Sequence, residues 1–91
     1  MDFEWDPEKA ATNLRKHDVS FVEASTVFED VLSTTFPDPD HSIGERRYVI
    51  IGVSKLGYLL IVSHTDRAGV TRIISARKAN RSERRFYEQG I

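Results

Sequence analysis

Arg46-Arg47-Tyr48-Val49-Ile50-Ile51-Gly52-Val53-Ser54, Tyr58-Leu59-Leu60-Ile61-Val62-Ser63-His64-Thr65 and Val70-Thr71-Arg72-Ile73-Ile74-Ser75-Ala76-Arg77-Lys78 follow one another with only short breaks. Each run is rich in Val, Ile, Leu, Thr and Tyr and has the length of a strand rather than a helix. Lys55-Leu56-Gly57 separates the first pair and Asp66-Arg67-Ala68-Gly69 the second, and both breaks suit tight hairpins. Three successive antiparallel strands follow from this pattern. Upstream, Val31 to Phe36 reads as a fourth strand, stopped by Pro37-Asp38-Pro39-Asp40-His41-Ser42, whose two prolines remove ladder donors.

The flanks are helical. Asp6-Pro7-Glu8 is a helix start: Asp6 caps free N–H groups, Pro7 suits the first helical position and Glu8 favours the positive dipole end. The helix should run from Pro7 to His17 with Ala10, Leu14 and His17 on one stripe. Ser20-Phe21-Val22-Glu23 has capping-box spacing, which predicts a second helix to about Asp30 with Phe21, Ala24, Val27 and Phe28 inward. Asn80 or Ser82 can cap a last helix carrying Glu83, Arg84, Phe86 and Tyr87. Phe3-Glu4-Trp5 is short and suits an edge strand. The sum is one α+β domain over residues 1–91: an N-terminal helical hairpin, an antiparallel sheet of about four strands, and a C-terminal helix.

Charge is sorted along the chain. Residues 1–45 carry three basic and eleven acidic residues, a net of −8, whereas residues 46–91 carry ten basic and three acidic, a net of +7. The overall charge of −1 hides this. Such asymmetry points to a polyanion on one face, most often nucleic acid. The absence of cysteine excludes a disulfide framework and a thiolate zinc site, and favours a reducing compartment. With no signal peptide or membrane-length apolar run, the expectation is a cytoplasmic protein.

RNA cleavage without a metal needs a base for the 2′-hydroxyl proton, a cation for the phosphorane-like transition state and an acid for the 5′-oxygen. Histidine suits the first and third tasks and arginine the second. Lys16, His17, His64, Arg67 and Arg77 are the right residue types. Each has a plainer reading: His64 as a strand-end surface residue, His17 as a cation near a helix C-terminus, and the arginines as a solvated face. Asp38-Pro39-Asp40-His41 contains metal-ligand types, but an acidic turn is the favoured reading because no further ligands stand at suitable spacing. Tyr87, among Arg81, Arg84 and Arg85, is the aromatic best placed to stack on a base.

Several pieces together resemble a known family. They are Phe3-Glu4-Trp5-Asp6 with Lys9, Asn13-Leu14-Arg15-Lys16-His17, Phe21 with Ala24 and Val27-Phe28, and Asp38-Pro39-Asp40-His41-Ser42 with Gly44-Glu45-Arg46-Arg47. They continue with His64-Thr65, Arg72 to Ala79, and Glu83-Arg84-Arg85 with Tyr87-Glu88. In this order, across nearly the whole chain, they resemble the BrnT-type toxins of bacterial type II toxin–antitoxin systems, which have a RelE-like ribonuclease fold. Asp18 departs from the pattern, since such proteins usually carry Gly there. Asp can adopt the left-handed geometry at some cost, so the helix stop should survive.

The resemblance implies a metal-independent, cofactor-free endoribonuclease that cuts cellular RNA and halts translation. It also implies a BrnA-type antitoxin with a DNA-binding part that covers the basic face. The residues expected to carry catalysis are Arg77 and Arg67 as phosphate stabilisers and His64 as the proton-transfer group, followed by His17. Lys16, Arg46, Arg72, Lys78, Arg81 and Tyr87 would hold RNA. The competing expectation is a catalytically silent module that binds nucleic acid or antitoxin as a co-repressor.

Overall fold

A computed structural model describes residues 1–90. The elements are β1 (Asp2–Glu4), α1 (Pro7–His17), α2 (Phe21–Thr26) with a 3₁₀ turn over Val27–Glu29, and β2 (Thr34–Pro37). A second 3₁₀ turn over Pro39–His41 precedes β3 (Tyr48–Val53), β4 (Leu59–Arg67), β5 (Val70–Lys78) and α3 (Arg81–Glu88). The sheet has five strands in the order β1-β5-β4-β3-β2. The expected meander is β2 to β5, all antiparallel. Phe3-Glu4 belongs to the fifth strand, which pairs in parallel with β5 from Asp2↔Val70 to Glu4↔Arg72. The sheet is therefore one strand larger than expected.

The helix ends are set by local chemistry. Asp6 accepts from the Glu8 N–H at 2.8 Å. Asp18 ends α1 in the left-handed conformation, φ 56° and ψ 35°, with its N–H bonded to the Leu14 carbonyl. The capping box expected at α2 forms by half: the Ser20 hydroxyl accepts from the Glu23 N–H, but the Glu23 carboxylate accepts from Ser54 Oγ at 2.7 Å instead. At α3 the box is complete between Asn80 and Glu83. Ala68 and Gly69 both have positive φ, as a two-residue hairpin turn between Arg67 and Val70 requires.

One sheet face carries the larger core, in which Val19, Phe21, Ala24 and Val27 from the helical layer meet Ile50, Leu60, Val62, Ile73 and Ala76. Phe3, Trp5 and Phe28 pack against it. α1 and α2 both pack on β5 and form a helical layer on the sheet. The α1 stripe also differs from expectation. Leu14 is 50 % exposed, and the buried residue is Asn13. Its amide donates to the Val19 and Ala76 carbonyls at 3.0 and 2.8 Å and accepts from the Ala76 N–H at 3.0 Å. Because β1 reaches only as far as Arg72, Asn13 satisfies backbone groups that the short edge strand leaves open.

The other face is only partly covered. Ile51, Leu59 and Ile61 receive Phe86 and Tyr87 from α3. The Tyr87 hydroxyl donates to Asp30 Oδ2 at 2.6 Å, which ties α3 to the segment after α2. The same carboxylate oxygen accepts from the Val53 N–H at 2.8 Å, and Oδ1 accepts from the Leu32 N–H. Beside α3 the sheet face stays open.

Candidate active site

The uncovered face forms a groove of about 690 Å³. Its floor is made by alternate residues of three strands, Val49 and Ile51 of β3, Ile61 and Ser63 of β4, and Ser75 and Arg77 of β5. Strand pleating places these residues on one side, with Ser63 directly opposite Ser75 and Ile61 opposite Arg77. α3 supplies one wall through Ser82, Glu83 and Phe86, and Phe36 and Asp38 at the end of β2 supply another. His17, last residue of α1, stands at the β5 edge. A recess of about 410 Å³ continues from His17 and Ser75 past Lys16, Thr12 and Lys9.

Arg77 is the strongest cation in the groove. Its Nη1 and Nη2 donate to the two Glu83 carboxylate oxygens at 2.7 and 2.8 Å. These hydrogen bonds hold Glu83 below the usual carboxylate range and keep the guanidinium charged. Glu83 also accepts from the Asn80 N–H at 2.9 Å, so the helix cap and the arginine share one carboxylate. A guanidinium has five N–H donors, and the paired edge leaves others for an incoming phosphate.

The sequence-predicted residues divide into two groups. Arg77 and His17 share the groove, and Lys16 lies in the recess that continues it. The others stand elsewhere. His64 is 5 % exposed on the opposite sheet face, stacked on Tyr48 and edge-on to Phe28. Neither ring nitrogen has a hydrogen-bond partner, and burial pushes its pKa below the usual histidine value. A proton-transfer role does not fit that position: the sheet separates it from the Arg77 face. Arg67 donates twice to Glu45 at 3.0 Å, and Arg72 to Glu4 at 2.9 Å. Arg67 lies six residues beyond Ile61, the strand partner of Arg77, or about 20 Å along β4. The two arginines expected as phosphate stabilisers are therefore at opposite ends of the sheet.

Arg46 is exposed before β3 and offers its carbonyl to the Thr65 hydroxyl. Lys78 sits 4.4 Å over the Tyr58 ring. Arg81 is exposed on α3 and, unlike Ser82 and Glu83, is outside the groove lining. Tyr87 is half-buried and engaged with Asp30, and burial followed by that bond pushes its pKa up to about 12. It anchors α3 and is not a free stacking platform. The Asp38–His41 turn, read from sequence as metal-ligand types or an acidic turn, is an aspartate–histidine pair: His41 Nδ1 lies 3.0 Å from Asp38 Oδ2, and Asp38 lines the groove. Its signal in the sequence was the histidine three residues after an aspartate. Among the described residues no group of three or more His, Asp or Glu side chains could hold a metal ion.

The fold and the chain are both similar to known proteins. The crystal structure of the Brucella abortus ribonuclease toxin BrnT superposes with a TM-score of 0.70, at 23% identity, over 89% of this chain and 99% of that one. This likeness concerns the fold. Among curated proteins, none matches. The family model for the ribonuclease toxin BrnT of type II toxin–antitoxin systems matches residues 5–83, from Trp5 just after β1 to Glu83 on the groove wall. The chain belongs to the BrnT family of ribonuclease toxins.

Proposed function

We propose that the protein is a metal-independent, RelE-like endoribonuclease that acts in the cytoplasm. It cuts cellular RNA by attack of a ribose 2′-oxygen on the adjacent phosphate, and so inhibits translation. The observation that carries this reading is Arg77 on the floor of an open groove, with His17 on the same rim. The arginine would neutralise the charge that builds on the phosphorane-like transition state, and the imidazole would move a proton. Lys16 would guide the backbone into the groove from the side. A BrnA-type, DNA-binding antitoxin would cover this face, and operator DNA would be reached only through it.

The test is cleavage of naked RNA, and in parallel of ribosome-bound mRNA, in excess EDTA. Wild-type protein should leave 2′,3′-cyclic phosphate ends. Arg77→Ala should lose about 10²–10³-fold in rate, the cost of removing one transition-state donor. Absence of cleavage in both settings would refute the reading and favour a silent co-repressor that binds nucleic acid or antitoxin.

A further inference from the structure

The Asp38-to-Ser42 turn is pinned to the sheet. The Asp38 N–H donates to the Arg47 carbonyl at 2.9 Å. The Ser42 hydroxyl donates to the Asp38 carbonyl at 2.6 Å and accepts from the Arg47 N–H at 3.1 Å. These bonds hold the turn against the approach to β3. Within it, Asp38 faces His41 Nδ1 at 3.0 Å, and His41 itself has a side chain 67% exposed. A carboxylate at Nδ1 fixes the neutral tautomer with its proton there, so that Nε2 carries the free lone pair. No other aspartate–histidine hydrogen bond occurs among the described residues.

The dyad reaches the groove. A recess of about 230 Å³ contains His41 and Arg47 and shares Asp38, Ser63 and Ser75 with the groove. The Ser63–Ser75 pair therefore lies between two sets of chemistry. Arg77, two residues beyond Ser75 on the same side of β5, is at one end, and His41 is at the other. His17 enters from the β5 edge and lines the groove beside Ser75.

Resting on the ribonuclease reading above, the geometry points to His41 as the general base of RNA cleavage, with Asp38 as its positioning residue and His17 as the proton donor. His41 Nε2 takes the proton of the 2′-hydroxyl while that oxygen bonds to phosphorus. The bond from phosphorus to the 5′-oxygen breaks, and the leaving oxygen takes a proton from the His17 imidazolium. The products are a 2′,3′-cyclic phosphate and a 5′-hydroxyl. One proton has moved from substrate to His41 and one from His17 to product, so charge and atoms balance.

The test is single-turnover and steady-state cleavage of an oligoribonucleotide in whichever setting, naked or ribosome-bound, the wild type cuts. His41→Ala should lose about 10²–10⁴-fold, the usual share of a general base, and added imidazole should restore part of it. Asp38→Asn should lower kcat and leave KM unchanged. Asp40→Asn, which alters the exposed neighbour, should cut at the wild-type rate. A substrate with sulfur in place of the bridging 5′-oxygen separates the two histidines, since a thiolate departs without a proton. His41→Ala should slow it as much as ordinary RNA, whereas His17→Ala should slow ordinary RNA alone. A His41→Ala protein at full rate overturns the inference, as does a loss that imidazole leaves unchanged in a protein with wild-type melting, or the reverse sulfur pattern. A wild type that cuts nothing in either setting fails earlier, at the ribonuclease reading itself.

Discussion

Replacing Asn13 with alanine should destabilise the protein more than any other alanine substitution on α1. Asn13 is buried, and its amide makes three hydrogen bonds, two donated to the Val19 and Ala76 carbonyls and one accepted from the Ala76 N–H. Alanine removes all three and leaves main-chain groups beneath the helix without partners. At about 1 kcal/mol each, the loss is about 3 kcal/mol. A domain of this size has a total stability of about 5–14 kcal/mol, so the change is a large fraction of it. The melting temperature should fall by about 12–24 °C. Leu14→Ala is the control, since Leu14 is half exposed and should cost well under about 1 kcal/mol. Thermal unfolding by circular dichroism, with chemical denaturation to check the slope, measures both. If Asn13→Ala melts with the wild type, or if Leu14→Ala costs as much, the hydrogen-bond account of how α1 docks is wrong.

Other predictions concern the two faces of the sheet. His64 has a folded pKa held below 6.5 by burial, so the unfolded chain binds the extra proton first, and stability should decline as pH falls below about 6.5. His64→Phe should flatten that part of a stability–pH curve, and an unchanged curve would count against it. Glu83→Ala removes the carboxylate that both completes the α3 cap and grips Arg77. It should cost about 0.5–2 kcal/mol in denaturant titration, and no loss would mean the cap is idle. Gly52→Ala would place a Cβ 2.9 Å from Val27 Cγ1 and 3.0 Å from Ser33 Cβ. Overpacking of that kind should cost about 1–3 kcal/mol, measured the same way, and a stabilised variant would refute it.

Much of the fold was legible because its signals are local. The meander announces itself through strand-length aliphatic runs and Gly-bearing turns, and α1 begins at Asp6-Pro7 because capping is chemistry between near neighbours. What escaped depended on distant partners. The Glu23 carboxylate bonds Ser54, and hydrophobic spacing selects Leu14 over Asn13 because it does not count hydrogen bonds. The parallel pairing of β1 joins residues at opposite ends of the chain. In the site, residue types were readable but faces were not. An irregularity in the β4–β5 register between Ser63 and His64 puts His64 opposite Ile73, with Ile73 and Ala76 on one core. Strict alternation along β5 cannot anticipate that. Arg67 and Arg77 look equivalent in a list of arginines, whereas strand length sets them at opposite ends.

The position of β5 has a consequence for how the protein comes into being. This strand binds β1 on one side and β4 on the other, and both N-terminal helices pack against it, yet it begins only at Val70. During synthesis β1, α1 and α2 emerge before the strand on which they rest exists. Closing such long-range contacts is the slow part of folding, and it waits for Val70–Lys78. Arg77 and the α3 wall are made after the helices and strands that precede them. A nascent chain therefore has no folded groove before β5 and α3 have been made, and under the reading above it would be harmless to the ribosome that makes it until then.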